Sequence, residues 1–288
     1  GVVASRKVLA SSDDYWVAGR GVGRWVNAIA IMASLASGGS IIGVMGYAYK
    51  AGIPATLTLF AGAVIGFPLA SILVARPLRN FGKFTISDFI AFRFPHPTLR
   101  VGVPLLIVAS FTAYIVAQLK AAGVTVEVLL GVPYDRALLI STIVFVAYVA
   151  VGGMLAVTWT DVAQGVIMLG ILIAGSVVML VNEGRPDEVV RAATALRPAL
   201  GTAGSSGWND AGAFVLWATA IPVIPHIVMR VFTAKDADGA RWSLNVAMVG
   251  YALMILAAVL VFVALGVLAL GEVADADEMF LGIVEHYF

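Results

Sequence analysis

The chain is 288 residues long, 61% hydrophobic and only 12% charged, with a formal net charge of +1. A water-soluble domain carries about 25% charged residues, so this chain cannot build a water-facing exterior and most of its outer surface has to face lipid. Near-neutrality leaves no basic excess to neutralise phosphates, which excludes a nucleic-acid partner; the lack of cysteine excludes disulfides and thiolate metal sites.

Residues 1–24 are polar, with Arg6, Lys7, Asp13, Asp14, Arg20 and Arg24, and lack the apolar stretch of a signal peptide. Beyond them, seven stretches supply the roughly 20 apolar residues that a helix needs to cross a hydrocarbon core of about 30 Å. They run over 25–48, 54–76, 101–130, 136–153, 155–181, 211–231 and 242–270. In lipid a helix satisfies its own backbone groups. The predicted fold class is therefore all-α, a polytopic membrane protein of about seven transmembrane helices. Spans four and five are separated only by Gly152-Gly153 and their neighbours, which predicts a tight turn. Residues 77–100, with Pro77, Pro95 and Pro97 around Phe84–Phe94, predict a short interfacial helix. Residues 182–210 form the longest polar stretch and predict an outer loop with one short helix over 187–196.

Lys and Arg placement sets orientation. One set of alternating loops holds Arg6, Lys7, Arg20, Arg24, Arg76, Arg79, Lys83, Arg93, Arg100, Arg230, Lys235 and Arg241; the other holds Lys50, Arg136, Arg185, Arg191 and Arg197. The richer set is expected in the cytoplasm, with the N-terminus inside and the acidic tail of Glu272, Asp275, Asp277, Glu278 and Glu285 outside. A polar start inside and an end just after a span are the pattern expected of a piece of a longer chain.

Span one carries Ala33-Ser34-Leu35-Ala36-Ser37-Gly38-Gly39-Ser40. Gly costs a helix about 1 kcal/mol relative to Ala, and small residues admit close backbone approach. Span six carries Ile221-Pro222-Val223-Ile224-Pro225-His226, where each proline removes a donor and clashes with the preceding turn. Small-residue runs also serve helix packing, and prolines also make plain kinks. A matched pair of interrupted spans, five apart, points to a transporter site: unwound carbonyls hold a cation and half-helix N-termini an anion.

Lys120 lies inside span three near Gln118, with Glu127 two turns along the same face. An intramembrane lysine is a counter-ion, a proton carrier, or a snorkelling group satisfied by neighbours. Asp161 reads either as a carboxylate on a cation path or as the N-cap of span five. His226 reads as a hydrogen-bonded structural group or as part of a site in the break. Gly62-x-x-x-Gly66 and Gly39-x-x-x-Gly43 fit helix packing. Gly19-Arg20-Gly21-Val22-Gly23 has no strand before it and is no phosphate loop. No nucleophile–base pair or metal-ligand cluster is seen, so an enzyme is not expected.

Four blocks carry a family resemblance: Asp14-Tyr15-Trp16-Val17-Ala18-Gly19-Arg20; Ser37 to Gly43; Gly152-Gly153-Met154-Leu155-Ala156-Val157-Thr158-Trp159-Thr160-Asp161-Val162-Ala163-Gln164; and Pro225-His226-Ile227-Val228-Met229-Arg230-Val231-Phe232-Thr233. Through them the chain resembles the sodium:solute symporters, which include proline, sugar, pantothenate and acetate permeases; the last block is most similar to the acetate, monocarboxylate and pantothenate branch. The resemblance implies a LeuT-type fold of two inverted five-helix repeats. Residues 25–181 would be the first repeat and 211–270 the first two helices of the second. It implies sodium as the coupling ion, no other cofactor, a bilayer, and a small solute as partner.

By the same resemblance, the Ala33 and Ala36 carbonyls match sodium-binding positions, with partner hydroxyls expected beyond Phe288, so only half the sodium site is implied here. Asp161 matches an aspartate linked to sodium movement. Gln118 and Glu127 match positions of the carboxylate branch. Lys120 departs from it, and Leu35 stands where the proline branch has an acid. The expected function is secondary active transport of a small, carboxylate-bearing solute with sodium in a cell membrane. Ser37, Gly38, Gly39, Ser40, Gln118, Lys120, Ile224, Pro225 and His226 are the expected solute-binding set. A sensor module of a symporter–kinase fusion and a proton-coupled carrier using Lys120 and Asp161 are the alternatives.

Overall fold

The computed structural model describes residues 11–202, 207–273 and 279–287; Arg6, Lys7, Asp275, Asp277 and Glu278 lie outside them. Helix follows helix: α1 (Ser12–Val17), α2 (Arg24–Leu35), α3 (Gly38–Ala51), α4 (Ile53–Leu73), α5 (Ala75–Phe81), α6 (Ile86–Arg93) and α7 (Pro97–Leu130). Then come α8 (Tyr134–Glu183), α9 (Pro186–Leu196), α10 (Gly207–Ala220), α11 (Pro225–Thr233), α12 (Ala237–Leu256), α13 (Val263–Leu270) and α14 (Met279–Tyr287). A π-helical segment, Ala257–Phe262, joins α12 to α13. Among the described residues the extended backbone reduces to one bridge, Val22 to Ala234.

Among the described residues, five runs are long and apolar enough to cross a membrane: Ile53–Leu73, Pro97–Leu130, Tyr134–Glu183, Gly207–Thr233 and Ala237–Leu270. A bent pair, Arg24–Leu35 with Ser40–Ala51 at 49°, makes a sixth. At about 1.5 Å per residue, the 50 residues of α8 would reach about 75 Å, over twice a hydrocarbon core of about 30 Å. The expected spans four and five both lie within it. Its helix is broken at Gly153, whose φ of 54° and ψ of −160° lie outside the helical region. No loop intervenes there, so the predicted tight turn is a single-residue break. The positive φ suits glycine, and a Cβ would also lie 2.8 Å from the Tyr15 carbonyl oxygen. The N-terminal motif containing Tyr15 is thus packed on the Gly-Gly pair 138 residues later.

The connecting segments follow local rules. Span two ends at Leu73, and α5 continues from Val74 to Phe81, stopping at Gly82 in the left-handed region. The expected interfacial helix is α6, opened by a reciprocal Thr85–Asp88 capping box. The predicted helix 187–196 is α9, with Pro186 in its first turn and Asp187 and Glu188 at its positive end.

Glycines set the tightest crossing. A Cβ on Gly62 would lie 2.2 Å from the Phe214 carbonyl oxygen, and one on Gly66 would lie 2.5 Å from Ile221 Cβ. Span two therefore meets span six backbone to backbone. Span seven is buried for most of its length, with Leu244, Tyr251, Met254 and Phe262 in the core, whereas α7 shows its apolar side chains at the surface. Overpacking costs about 1–3 kcal/mol, so Gly62→Val in the full-length protein should lower its thermal midpoint in detergent by several degrees. Gly102, with open space around it, should accept Ala without change; equal midpoints for both variants would contradict the close α4–α10 contact.

Candidate functional site

Both interrupted spans break where their sequences are weakest. In span one, α2 ends at Leu35 and α3 starts at Gly38, with Ser37 as its N-cap. The Ser37 amide would donate to Ala33 in an unbroken helix; it donates instead to the Leu35 carbonyl at 2.9 Å. The Ser40 amide would donate to Ala36; it donates instead to Ser37 Oγ at 3.1 Å. Ala33 and Ala36 are thus carbonyls whose helical donors are diverted. Ser40 Oγ lies 2.9 Å from both the Leu35 and Ser37 carbonyl oxygens and steadies the bend. Gly38 and Gly39 fall in the first turn of α3, and their surroundings lie outside the described residues.

In span six, α10 ends at Ala220, and the Val223 and Ile224 amides both donate to its carbonyl at 2.9 Å. Pro225 then opens α11, a first-turn position where its missing N–H is no loss. The N-termini of α3 and α11 both end at one cavity of about 580 Å³. Ser37, Ser40, Gln118, Ile224, Pro225 and His226 line it, together with Leu35, Phe60, Tyr114, Trp217 and Tyr251. The imidazole of His226 stacks on Tyr114, ring centroids 5.7 Å apart and planes 17° apart, and meets Phe111 edge-on at 5.9 Å. Lys120 does not line the cavity; it is exposed on α7. At about 100° per residue it stands some 200° around the helix from Gln118.

Beside the cavity is a polar cluster that the sequence reading did not assemble. Arg230, counted above among the cytoplasmic loop charges, is buried: its side chain is 4% exposed. Its three guanidinium nitrogens donate to Ser34 Oγ at 3.3 Å, to Thr158 Oγ1 at 2.6 Å and to the Asp161 carboxylate. Asp161 is no N-cap; it lies well inside α8 and also accepts from Ser34 at 3.2 Å. The Arg230 carbonyl accepts from Asn27 Nδ2 at 3.0 Å and from Thr233 Oγ1 at 2.9 Å. One arginine therefore ties the first half of span one, span five and the second half of span six. An arginine inside the span-six stretch together with an aspartate inside span five was the available signal; a basic residue at a span's end ordinarily reads as interfacial. Arg79, from α5, donates to the Ala234 and Lys235 carbonyls at 2.6 and 2.8 Å and satisfies the end of α11.

Removing one partner of a buried pair strands the other charge at a cost of about 3–5 kcal/mol, whereas replacing both by apolar residues is often near neutral. Arg230→Met or Asp161→Leu alone should therefore lower the thermal midpoint of the full-length protein more than the double variant does. A double variant equal to the sum of the singles would show that the two side chains do not act as a pair.

An uncharacterized symporter, YwcA, of Bacillus subtilis (strain 168) is 28% identical over 251 residues, covering 82% of this chain and 47% of that protein. The chain thus spans about half the length of this curated relative. The profile of the sodium:solute symporter family matches residues 15–279, which include both broken helices, the cavity they face and the Asp161–Arg230 pair. The chain belongs to the sodium:solute symporter family.

Proposed function

We propose that this chain carries the solute cavity and part of the cation site of a sodium-coupled symporter for a small, carboxylate-bearing solute. The observation that carries this reading is the convergence of two broken spans, one and six, on a single cavity. That is the arrangement by which transporters offer unpaired carbonyls to a cation and helix N-termini to an anion. In this reading, sodium binds at the carbonyls of Ala33 and Ala36, whose helical donors are diverted. The solute binds in the cavity beside Ser37, Ser40, Gln118 and His226, and Asp161 lies on the path of the ion. Spans one to five form the first repeat of a LeuT-type fold, and spans six and seven open the second. The similarity to a symporter supports coupled transport. The cell membrane is the setting and the N-terminal side is cytoplasmic, since with Arg230 buried the basic loop residues still divide eleven to five.

Uptake of labelled short carboxylates into vesicles holding the full-length natural protein tests the reading. A sodium gradient should stimulate uptake. Ser37→Ala, which removes a cap of about 1 kcal/mol, should raise the sodium concentration for half-maximal uptake several-fold. Uptake of none of these solutes, with or without sodium or a pH gradient, would overturn the transport reading in favour of a sensor.

A further inference from the structure

The stretch between spans two and three holds a second cavity, of about 780 Å³. Phe84 and one face of α6, with Asp88 and Phe92, line one side; His96 and Arg100, where α7 begins, line the other, and Lys83 stands at the edge of α6. The charges of this cavity do not balance. Lys83 and Arg100 are exposed, and neither forms an ion pair among the described residues. Asp88 is the one acid among the described lining residues, and its carboxylate is engaged by the Thr85 amide at 3.0 Å in the cap of α6. Behind the wall, Arg20 lies over the Phe84 ring, 5.5 Å from its centroid, and pairs with Asp13 at 3.5 Å.

His96 adds a donor whose position is set in advance. Pro95 and Pro97 flank it, and its φ of −108° and ψ of 132° are the extended backbone that a following proline favours. Its Nδ1 accepts from the Thr98 amide at 3.3 Å, so the neutral ring carries its proton on Nε2 and keeps that N–H as a donor. An ammonium, a guanidinium and an imidazole N–H in one cavity suit an anion with several oxygens, such as a phosphate. The neighbouring surface says what the phosphate is attached to. Phe92 is 70% exposed, and beyond the cavity α7 presents Leu105 and Leu106, 63% and 68% exposed. A soluble phosphate has no use for such a surface, whereas acyl chains do.

We propose that this cavity holds the headgroup of an anionic phospholipid, with its phosphate on Lys83, His96 and Arg100 and its acyl chains along the exposed apolar face of α7. Basic pockets at the cytoplasmic ends of transmembrane helices take anionic headgroups in this way, and α6 stands on the basic side of the orientation proposed above. A choline headgroup is disfavoured, because its cation would add to charges that are already in excess.

The test is lipid retention by the delipidated full-length protein in detergent, read by native mass spectrometry with equal amounts of phosphatidylglycerol and phosphatidylcholine. Phosphatidylglycerol should be retained at least fivefold over phosphatidylcholine. The double variant Lys83→Gln, Arg100→Gln should lose that preference, with its thermal midpoint in lipid-free detergent unchanged because both side chains are exposed. Arg93→Gln removes the same charge from α6 outside the cavity and should keep the preference. Equal retention of the two lipids, or the same loss from Arg93→Gln as from the double variant, would overturn the proposal in favour of general attraction to a charged surface. Glycerol 3-phosphate binding as tightly as the lipid by calorimetry would overturn it in favour of a soluble phosphate. None of these results bears on sodium-driven uptake, which is measured separately.

Discussion

The pairing of Arg230 with Asp161 is the constraint from which much of the site follows. A guanidinium taken out of water is tolerable only if its charge is balanced and its donors are satisfied. Here Asp161 balances the charge, and Ser34 and Thr158 take the remaining donors. These acceptors come from two helices, α2 and α8, and Arg230 joins both to a third, α11. Ser34 lies just before the first break and His226 one turn before Arg230. The guanidinium thus fixes the relative placement of the two interrupted spans from one side. On that side the backbone adds its own link, with Val22 bonded to Thr233 and Lys235.

The breaks themselves are economical. Each takes a few residues, and at each break amides are taken up by serine or by the carbonyl that ends the preceding helix. In a bilayer this is a condition of existence rather than refinement, because irregular backbone survives at membrane depth only where it is buried in protein or lines a cavity. Span one is broken by small residues and span six by prolines, two chemical routes to the same freed backbone groups.

The fold was largely legible in the sequence because lipid imposes a coarse code. Apolar runs of about 20 residues marked every membrane run now seen, and the small-residue and proline clusters marked both breaks. Gly62 and Gly66 announced the crossing of spans two and six only as a motif; that the partner is Phe214 and Ile221 depends on a fold that the motif does not contain. The site was legible in part. Ser37, Ser40, Gln118, Ile224, Pro225 and His226 gather at one cavity. Lys120 does not, since two residues along a helix turn a side chain to nearly the opposite face. The aromatic wall was hidden because Phe60, Trp217 and Tyr251 sit in apolar runs, where a cavity-lining ring and a lipid-facing ring look alike. Arg230 was misplaced because its acid lies 69 residues away in the chain.

Span six belongs mechanically to two bodies at once. Its first half, α10, is pressed backbone to backbone on span two through Gly62, with almost no clearance for sliding. Its second half, α11, is moored by Arg230 to spans one and five. Any displacement of one anchorage relative to the other has to be absorbed as torsion within residues 221–224. Two fixed attachments and four residues between them make a coupling with very few degrees of freedom. It borders the cavity itself, so strain entering from either side arrives at the same wall.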